Sequence, residues 1–218
     1  MGLAGMVPAA LEDIRKVVGI CRSNDILVVL DEALTGLGRA GHRTAAGLYG
    51  IDHDLLLVSK GLGCGFVPIA ATCVAPHISS VLERSLPALR HGHTSSGNPI
   101  AARIASTVID ELEARDAIEN AYRMERVFKE QMAVGIAELR LHYSVRATGL
   151  CLAIGTDDPA FAQQVRQTAF DLGLRIRAID RNLIACPPLV ILEREIAEIA
   201  ALLSRALAVA ERSRKAEG

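Results

Sequence analysis

The chain has 218 residues, a formal net charge of -1 at pH 7 and 50% hydrophobic residues, enough for a substantial core in one large or two small domains. This balanced charge gives no reason to expect nucleic acid or an acidic membrane surface as a partner. Aromatic residues make up 3% of the chain and Trp is absent, which argues against a base-stacking platform.

The sequence also carries no signal for a membrane or for a metal. No run of about 18 apolar residues predicts a membrane span. The apolar start of the chain lacks a basic region and is followed by Glu12 and Asp13, unlike a signal peptide. The cysteines are odd in number and widely spaced, without a CxxC pair or a His at metal-ligand spacing. We therefore expect reduced thiols, no metal site and a cytoplasmic location.

The first predicted elements are a helix and a buried strand. Apolar residues at helical spacing predict an amphipathic helix over residues 9–22. Residues 26–30 are wholly apolar and branched, which predicts a central strand buried on both faces. This strand ends at Asp31, and a glycine-rich loop over residues 36–41 follows, then a short helical turn around residues 44–49.

A second strand and a second glycine-rich loop repeat this arrangement. Leu55–Val58 is again wholly apolar, and the chain then reaches Lys60 and the glycines of residues 61–65. A third strand is predicted over residues 69–74, and a helix over residues 76–86.

The loop over residues 91–98 leads into a long helix. Asn98 is suited to cap its N-terminus, and Pro99 to occupy its first turn. Apolar residues at helical spacing predict the buried face of this helix: Ile100, Ile104, Val108 and Leu112.

From Glu113 onward the sequence predicts a different kind of unit. A charged helix over residues 113–141 joins it to the first half without a flexible linker. Predicted strands and helices are then mixed: strands at 143–147, 150–154, 174–177 and 182–185, and helices at 159–172 and 193–211. We therefore divide the chain into an α/β domain, residues 1–112, and a smaller α+β domain, residues 113–218.

Two of the predicted strands each end in an ionisable residue. Asp31 and Lys60 are 29 residues apart, and ligands of open α/β sheets bind where strands end. A desolvated Lys is a nucleophile that can form a Schiff base with a carbonyl cofactor, and a carboxylate can pair with a protonated ring nitrogen. The alternative is that both are solvated strand ends, which is the commoner situation for such residues.

Two other interpretations of the loops are less favoured. The loop over residues 36–41 formally matches the GxGxxG pattern of NAD-dependent oxidoreductases, but the segment after it is short and interrupted by Gly47 and Gly50. His91 and His93 resemble a metal pair, yet no third ligand is spaced to join them, so a connecting loop is the simpler interpretation.

Three segments of the first half resemble the signature motifs of class III aminotransferases. Asp31-Glu-Ala-Leu-Thr-Gly-Leu-Gly-Arg-Ala-Gly41 resembles the family's Asp-Glu-Val-x-Thr-Gly-Phe-Gly-Arg-Thr-Gly. Residues 54–70 resemble the segment around the lysine that binds pyridoxal 5′-phosphate (PLP). His91-Gly-His-Thr-Ser-Ser-Gly-Asn-Pro99 resembles the family's His-Gly-x-Thr-Tyr-x-Gly-His-Pro loop.

The second half continues the likeness in the same order. Residues 145–150 resemble the family's Arg-Gly-x-Gly-Leu turn, and Asn182-Leu-Ile-Ala-Cys-Pro-Pro-Leu189 resembles its terminal Pro-Pro-Leu strand. The resemblance implies a PLP-dependent transferase of fold type I. Residues 1–112 would then be the C-terminal part of the large domain, with a mixed or parallel sheet, and residues 113–218 the small domain.

The resemblance also assigns roles to particular residues. It implies that Lys60 forms the Schiff base with PLP and moves a proton during amino-group transfer between an amine or amino acid and a keto acid. Asp31 pairs with the pyridine nitrogen, and Ala33, in place of the usual Val, packs on one face of the ring. Thr94 matches the residue that reaches the phosphate bound by a neighbouring subunit, which implies a dimer.

The family also implies parts that lie outside this sequence. These are the first half of the large domain, with its phosphate-binding loop and the aromatic residue that stacks on the pyridine ring. We therefore expect strands with open edges and apolar faces, and an aminotransferase split in two and completed by a separate N-terminal chain. A truncated inactive product or a regulatory subunit are the alternatives. The sequence leaves open whether the reaction is transamination, racemisation, aminomutation or decarboxylation.

Overall fold

The structure is a computed structural model that describes residues 5–85, 88–89, 91–138 and 143–217. The chain divides into two compact units. We call the first, Ala9–Gly38 with His42–Asp116, the N-terminal unit. The second, the C-terminal unit, combines Ala117–Gly218 with two short pieces, Met1–Pro8 and Arg39–Gly41.

The N-terminal unit contains a small mixed sheet with helices. Its elements in chain order are α1 Leu11–Ser23, β1 Val29–Asp31, α2 Ala45–Tyr49, β2 Leu55–Val58, a 3₁₀ turn Lys60–Leu62, β3 Ala71–Val74, α3 Pro76–Ser85 and α4 Pro99–Ala114. The sheet order is β1-β2-β3, with β1 parallel and β3 antiparallel to β2. Of the two expected arrangements, mixed or parallel, the sheet is therefore mixed, with β2 in its centre.

The prediction that residues 26–30 form a central strand buried on both faces is wrong for this structure. The ladder begins only at Val29, and β1 pairs with β2 on one side alone within the described residues. Val28 is buried, whereas Ile26, Leu27 and Val29 are each 52% exposed. The residues have the composition of a buried strand, but one side of β1 carries no neighbour here. In the described residues, one edge of β1 and the side chains of Ile26, Leu27 and Val29 are thus exposed.

The start of α4 agrees with the sequence, but its packing does not. The Asn98 side chain accepts a hydrogen bond from the backbone N–H of Ala101, and Pro99 occupies the first turn, as predicted. Ile100, predicted to be buried, is 69% exposed. Only Ala105 of this helix is buried, in a small cluster with Leu56, Val58 and Leu62.

The predicted continuous helix over residues 113–141 is also wrong in its first turn. α4 ends at Ala114, and α5 begins at Ala117. Between them Asp116 has a φ of 47°, a left-handed conformation that a helix cannot continue through. The two helices are therefore separate elements, and the two compact units change over at this break.

The C-terminal unit is an antiparallel sheet covered by helices. Its elements are α5 Ala117–Glu138, β4 Ser144–Thr148, β5 Cys151–Gly155, α6 Pro159–Asp171, β6 Arg177–Ile179, β7 Asn182–Ala185 and α7 Glu193–Glu217. The sheet order is β4-β5-β7-β6, with every neighbour pair antiparallel. A large apolar core joins α5, α6 and α7 to this sheet, with Phe128, Leu152 and Leu207 fully buried. No described helix is both long and apolar enough to cross a membrane.

Candidate functional site

The sheet of the N-terminal unit brings the ends of β1 and β2 to the same edge. The two strands are parallel, and Asp31 pairs with Leu57 in their register. Lys60 follows Leu57 by three residues and lies two residues after the end of β2. Both residues are exposed in the described chain. Asp31 and Lys60 therefore lie at the same end of the sheet, where the carboxyl ends of β1 and β2 meet.

Local hydrogen bonding orients the Asp31 carboxylate. Its Oδ1 accepts a hydrogen bond of 2.9 Å from the backbone N–H of Ala33, two residues on. Among the described residues, Oδ2 has no protein partner, so it remains available to a ligand donor. The half-buried Ala33 thereby lies directly beside the carboxylate, at the position that the sequence assigns to a ring contact.

Lys60 lies in a constrained turn. Its φ is 30°, and the backbone N–H of Leu62 donates to the Ser59 carbonyl over 2.8 Å. The Ser59 hydroxyl in turn donates to the Ile69 carbonyl over 3.1 Å, which ties the turn to the segment that leads into β3. At Gly63 a Cβ atom would overlap the carbonyl oxygen of Val67, so this loop position requires glycine. The lysine is therefore placed by a defined turn.

Glu32 is a site residue that the sequence analysis did not single out. Its carboxylate is buried and accepts hydrogen bonds from the backbone N–H groups of Ala45 and Ala46, over 2.6 and 2.7 Å. Its own N–H donates to the Leu57 carbonyl, which continues the β1–β2 ladder beyond Asp31. Glu32 thus anchors the start of α2 to the strand end that carries Asp31.

The hydrogen bonds of Glu32 also argue against a dinucleotide-binding site at the loop of residues 36–41. A phosphate needs free N–H groups at the start of the following helix. That helix, α2, is only five residues long, and Glu32 and Thr44 already accept its first N–H groups. A carboxylate at this place would repel a pyrophosphate.

Thr94 and the histidines near it lie in an exposed turn before α4. Within the described residues, Thr94 makes no hydrogen bond to Asp31, Ala33 or Lys60. The rings of His91 and His93 meet edge to face at 6.0 Å, and no group of three metal-binding side chains is found in the described parts of the chain. The structure therefore places Asp31, Ala33 and Lys60 at the same end of the paired strands.

A buried carboxylate that sequence reasoning missed supports the same sheet from its other end. Asp54 is fully buried and accepts from the backbone N–H of Val28 over 2.6 Å. Arg22 of α1 donates to both of its oxygens, and His77 of α3 lies 2.9 Å from Oδ1. These bonds lower the pKa of Asp54. The bond from the Val28 N–H has the largest effect, and the bond from Arg22 comes next. Its carboxylate holds α1, β1 and α3 together.

The residues at the strand edge suit PLP in two respects. A primary amine on an exposed turn can form a Schiff base with an aldehyde, and the Oδ2 atom of Asp31 is available to accept a hydrogen bond from a protonated ring nitrogen. In the loop after Lys60, the glycine at position 63 allows the backbone to approach the carbonyl of Val67 closely. In the described residues, the donor set therefore fits a carbonyl cofactor with a basic ring nitrogen.

Comparison with known proteins gives a consistent answer. A family model of class III aminotransferases matches residues 1–207. The chain is 32% identical to an uncharacterized aminotransferase of Sinorhizobium fredii, over 95% of this chain and 48% of that protein. It is also 32% identical to a leucine/methionine racemase of Thermococcus litoralis, over 98% of this chain and 49% of that protein.

A solved structure shows the same fold. The omega transaminase of Pseudomonas jessenii, in complex with PMP, is 27% identical and superimposes with a TM-score of 0.90. That match covers 100% of this chain and 51% of the transaminase. The chain thus has fold type I of the PLP-dependent transferases, and it spans about half the length of the curated relatives it matches.

Proposed function

The chain belongs to the class III aminotransferases, a PLP-dependent family, and on that premise we propose that it carries the lysine half of an amino-group transfer site. The observation that supports this most strongly is the common edge that parallel β1 and β2 give to Asp31 and Lys60. When bound, PLP supplies the electron sink for a substrate carbanion.

The residues of the chain have distinct tasks in this proposal. Lys60 Nζ would hold the cofactor covalently and would take a proton from the α-carbon of the amino donor. Asp31 accepts a hydrogen bond from the ring nitrogen and keeps that nitrogen protonated, because a nearby carboxylate favours a positive charge. Ala33 contacts one face of the ring, and Thr94 reaches the phosphate bound by the second subunit of a dimer.

We also propose that a second polypeptide, equivalent to the first half of a class III aminotransferase, completes the pocket. The exposed apolar side chains of the N-terminal unit support this. Val17 and Ile20 of α1 are 59% and 62% exposed, and Ile26, Leu27 and Val29 are each 52% exposed on the β1 segment. A solvent-facing apolar surface of this kind on helix and strand indicates a missing contact partner.

An inactive or regulatory subunit is the alternative to this proposal. It requires neither a carboxylate nor a lysine at the strand edge, so the presence of both Asp31 and Lys60 favours the catalytic role. Within the catalytic role, racemisation is a second candidate because one relative is a leucine/methionine racemase. Both reactions remove a proton from the α-carbon, so the same lysine serves either.

The test is an amino-donor screen on the purified chain, alone and together with a polypeptide equivalent to the first half of a class III aminotransferase. Keto-acid formation with PLP and an acceptor indicates transamination, and inversion of the α-carbon without keto acid indicates racemisation. Lys60→Ala should abolish either activity, whereas Lys215→Ala, a change of an exposed lysine on α7, should leave it unchanged. Activity that survives Lys60→Ala, or no activity in any sample, contradicts the proposal.

A further inference from the structure

Two cysteines of the C-terminal unit face each other across neighbouring strands. Cys151 is the first residue of β5, and Cys186 follows the last residue of β7. Leu152 pairs with Ala185 in the antiparallel register, so Cys151 and Cys186 are the next opposed positions. Opposed residues of antiparallel strands project to the same face, with Cβ atoms about 5 Å apart. The two thiols are close enough for each to shift the pKa of the other.

The two thiols differ in how they meet solvent. Cys151 is buried, with 1% of its surface exposed, and Cys186 is exposed. A reagent dissolved in water can therefore reach Cys186, and Cys151 lies behind it. This division between an accessible and a protected thiol is the arrangement of an attacking and a resolving cysteine.

Arg39 binds the backbone next to both cysteines. Its Nη1 donates to the Pro187 carbonyl over 2.5 Å and to the Leu150 carbonyl over 3.4 Å. These carbonyls belong to the residues next to Cys186 and Cys151, so the guanidinium is held beside the two strand positions that carry the thiols. The Leu150 N–H also donates to the Arg39 carbonyl, so Arg39 and Leu150 each donate a hydrogen bond to the other.

The local charges favour a thiolate on Cys186. The nearby Cys151 thiol and the positive charges of Arg39 and Arg177 lower the pKa of Cys186 to about 7. The nearby Cys186 and its own burial raise the pKa of Cys151. The proton of the pair thus remains on the buried sulfur, and the charge lies on the exposed one.

We propose that Cys186 and Cys151 form a redox-active dithiol, in which a peroxide oxidises the exposed Cys186 and Cys151 then closes an intramolecular disulfide. The Cys186 thiolate attacks one oxygen of hydrogen peroxide and breaks the O–O bond. The departing hydroxide takes up a proton and becomes water, which leaves a sulfenic acid on Cys186.

The second step consumes the buried thiol. Cys151 Sγ attacks Cys186 Sγ, so that the S–S bond forms as the S–O bond breaks, and hydroxide leaves with the Cys151 proton as a second water. Two thiols lose two electrons in total, and one peroxide gains them. The oxidation removes the thiolate that faces Arg39 and joins β5 to the end of β7 covalently.

The experiment uses the purified protein, with its completing polypeptide where one is present. Limited hydrogen peroxide, alkylation of the remaining thiols and peptide mapping should give a Cys151–Cys186 disulfide peptide that dithiothreitol removes. Cys186→Ser should abolish this peptide, and Cys64→Ser, a change of another exposed cysteine, should not. Oxidation of Cys186 to a sulfinic acid in the wild-type protein, without a disulfide to Cys151, overturns the proposal.

A second measurement does not depend on a variant that might fold poorly. The rate of Cys186 alkylation by iodoacetamide, read from the modified peptide, should rise with pH to a half-maximum near pH 7. A small free thiol has its half-maximum near about pH 8.5 under the same conditions. A Cys186 profile that coincides with that of the free thiol contradicts the proposed reactivity.

Discussion

At the scale of single residues, Asp31 and Lys60 depend on neighbours that hold their backbone. Asp31 is followed by Glu32, whose buried carboxylate accepts from Ala45 and Ala46. Lys60 lies in a turn fixed by Ser59. The groups proposed for chemistry are thus exposed, while the groups that position them are bonded within the protein.

Glu32→Ala should destabilise the protein by about 2–3 kcal/mol, because it removes two hydrogen bonds to a charged acceptor and leaves buried N–H groups unsatisfied. Urea unfolding at pH 7 measures this loss. Glu83→Ala is the matched control, since Glu83 is exposed on α3 and its loss should change stability by less than about 0.5 kcal/mol. Equal stability of the two variants would show that Glu32 does not anchor α2.

At the scale of elements, Asp54 connects parts of the chain that are distant in sequence. Arg22 reaches it from α1, Val28 from the segment before β1 and His77 from α3. Its carboxylate must be ionised to accept all of these bonds. The lowered pKa of Asp54 therefore links the packing of these elements to pH.

The sign of this link follows from the direction of the shift. Because the pKa of Asp54 is lower in the folded than in the unfolded state, its contribution is complete above about pH 4 and is lost as pH falls further. Asp54→Asn should reduce stability at pH 7, and the difference from wild type should shrink below about pH 4. Urea unfolding across this range, with the exposed Asp25→Asn as control, measures it. A difference that is constant with pH would contradict the account.

Local signals explain which elements the sequence predicted well. Asn98 and Pro99 mark a helix start through their own side chains, and an apolar run that stops at Asp31 marks a strand end without any distant partner. Asp54 was missed because its partners Arg22 and His77 are 32 and 23 residues away in sequence. The helix break at Asp116 was missed because no glycine or proline announces it.

Burial was harder to predict than element type. Residues 26–30 have the composition of a core strand, and Ile100 has the spacing of a buried helix face, yet much of this surface is exposed. Composition records what a segment is suited to contact, while burial depends on whether the contact is present. These two segments lie in the N-terminal unit, where the proposed second polypeptide would bind.

At the scale of the whole molecule, the two units have unequal cores. The C-terminal unit has a large core built from α5, α6, α7 and its sheet. The main cluster of the N-terminal unit contains Leu56, Val58, Leu62 and Ala105, with partly buried neighbours around it. Few buried apolar contacts make a region easy to open.

Amide hydrogen exchange should therefore be faster in β1, β2 and β3 than in β5 and β7 when the chain is alone. Addition of the proposed second polypeptide should slow exchange in the first three strands, by tenfold or more for a tight complex, and leave β5 and β7 unchanged. Exchange that slows equally in both units would indicate a general effect of association and would count against completion of the N-terminal sheet.

The most direct test of the account is the site at which PLP becomes attached. The purified protein, alone and with the proposed second polypeptide, is incubated with PLP, reduced with borohydride and mapped by mass spectrometry. We expect the phosphopyridoxyl group on Lys60, with Lys16, Lys129 and Lys215 unlabelled, and no attachment in Lys60→Ala. Labelling spread over the exposed lysines, or none at Lys60, would contradict the assignment of Lys60 as the cofactor lysine.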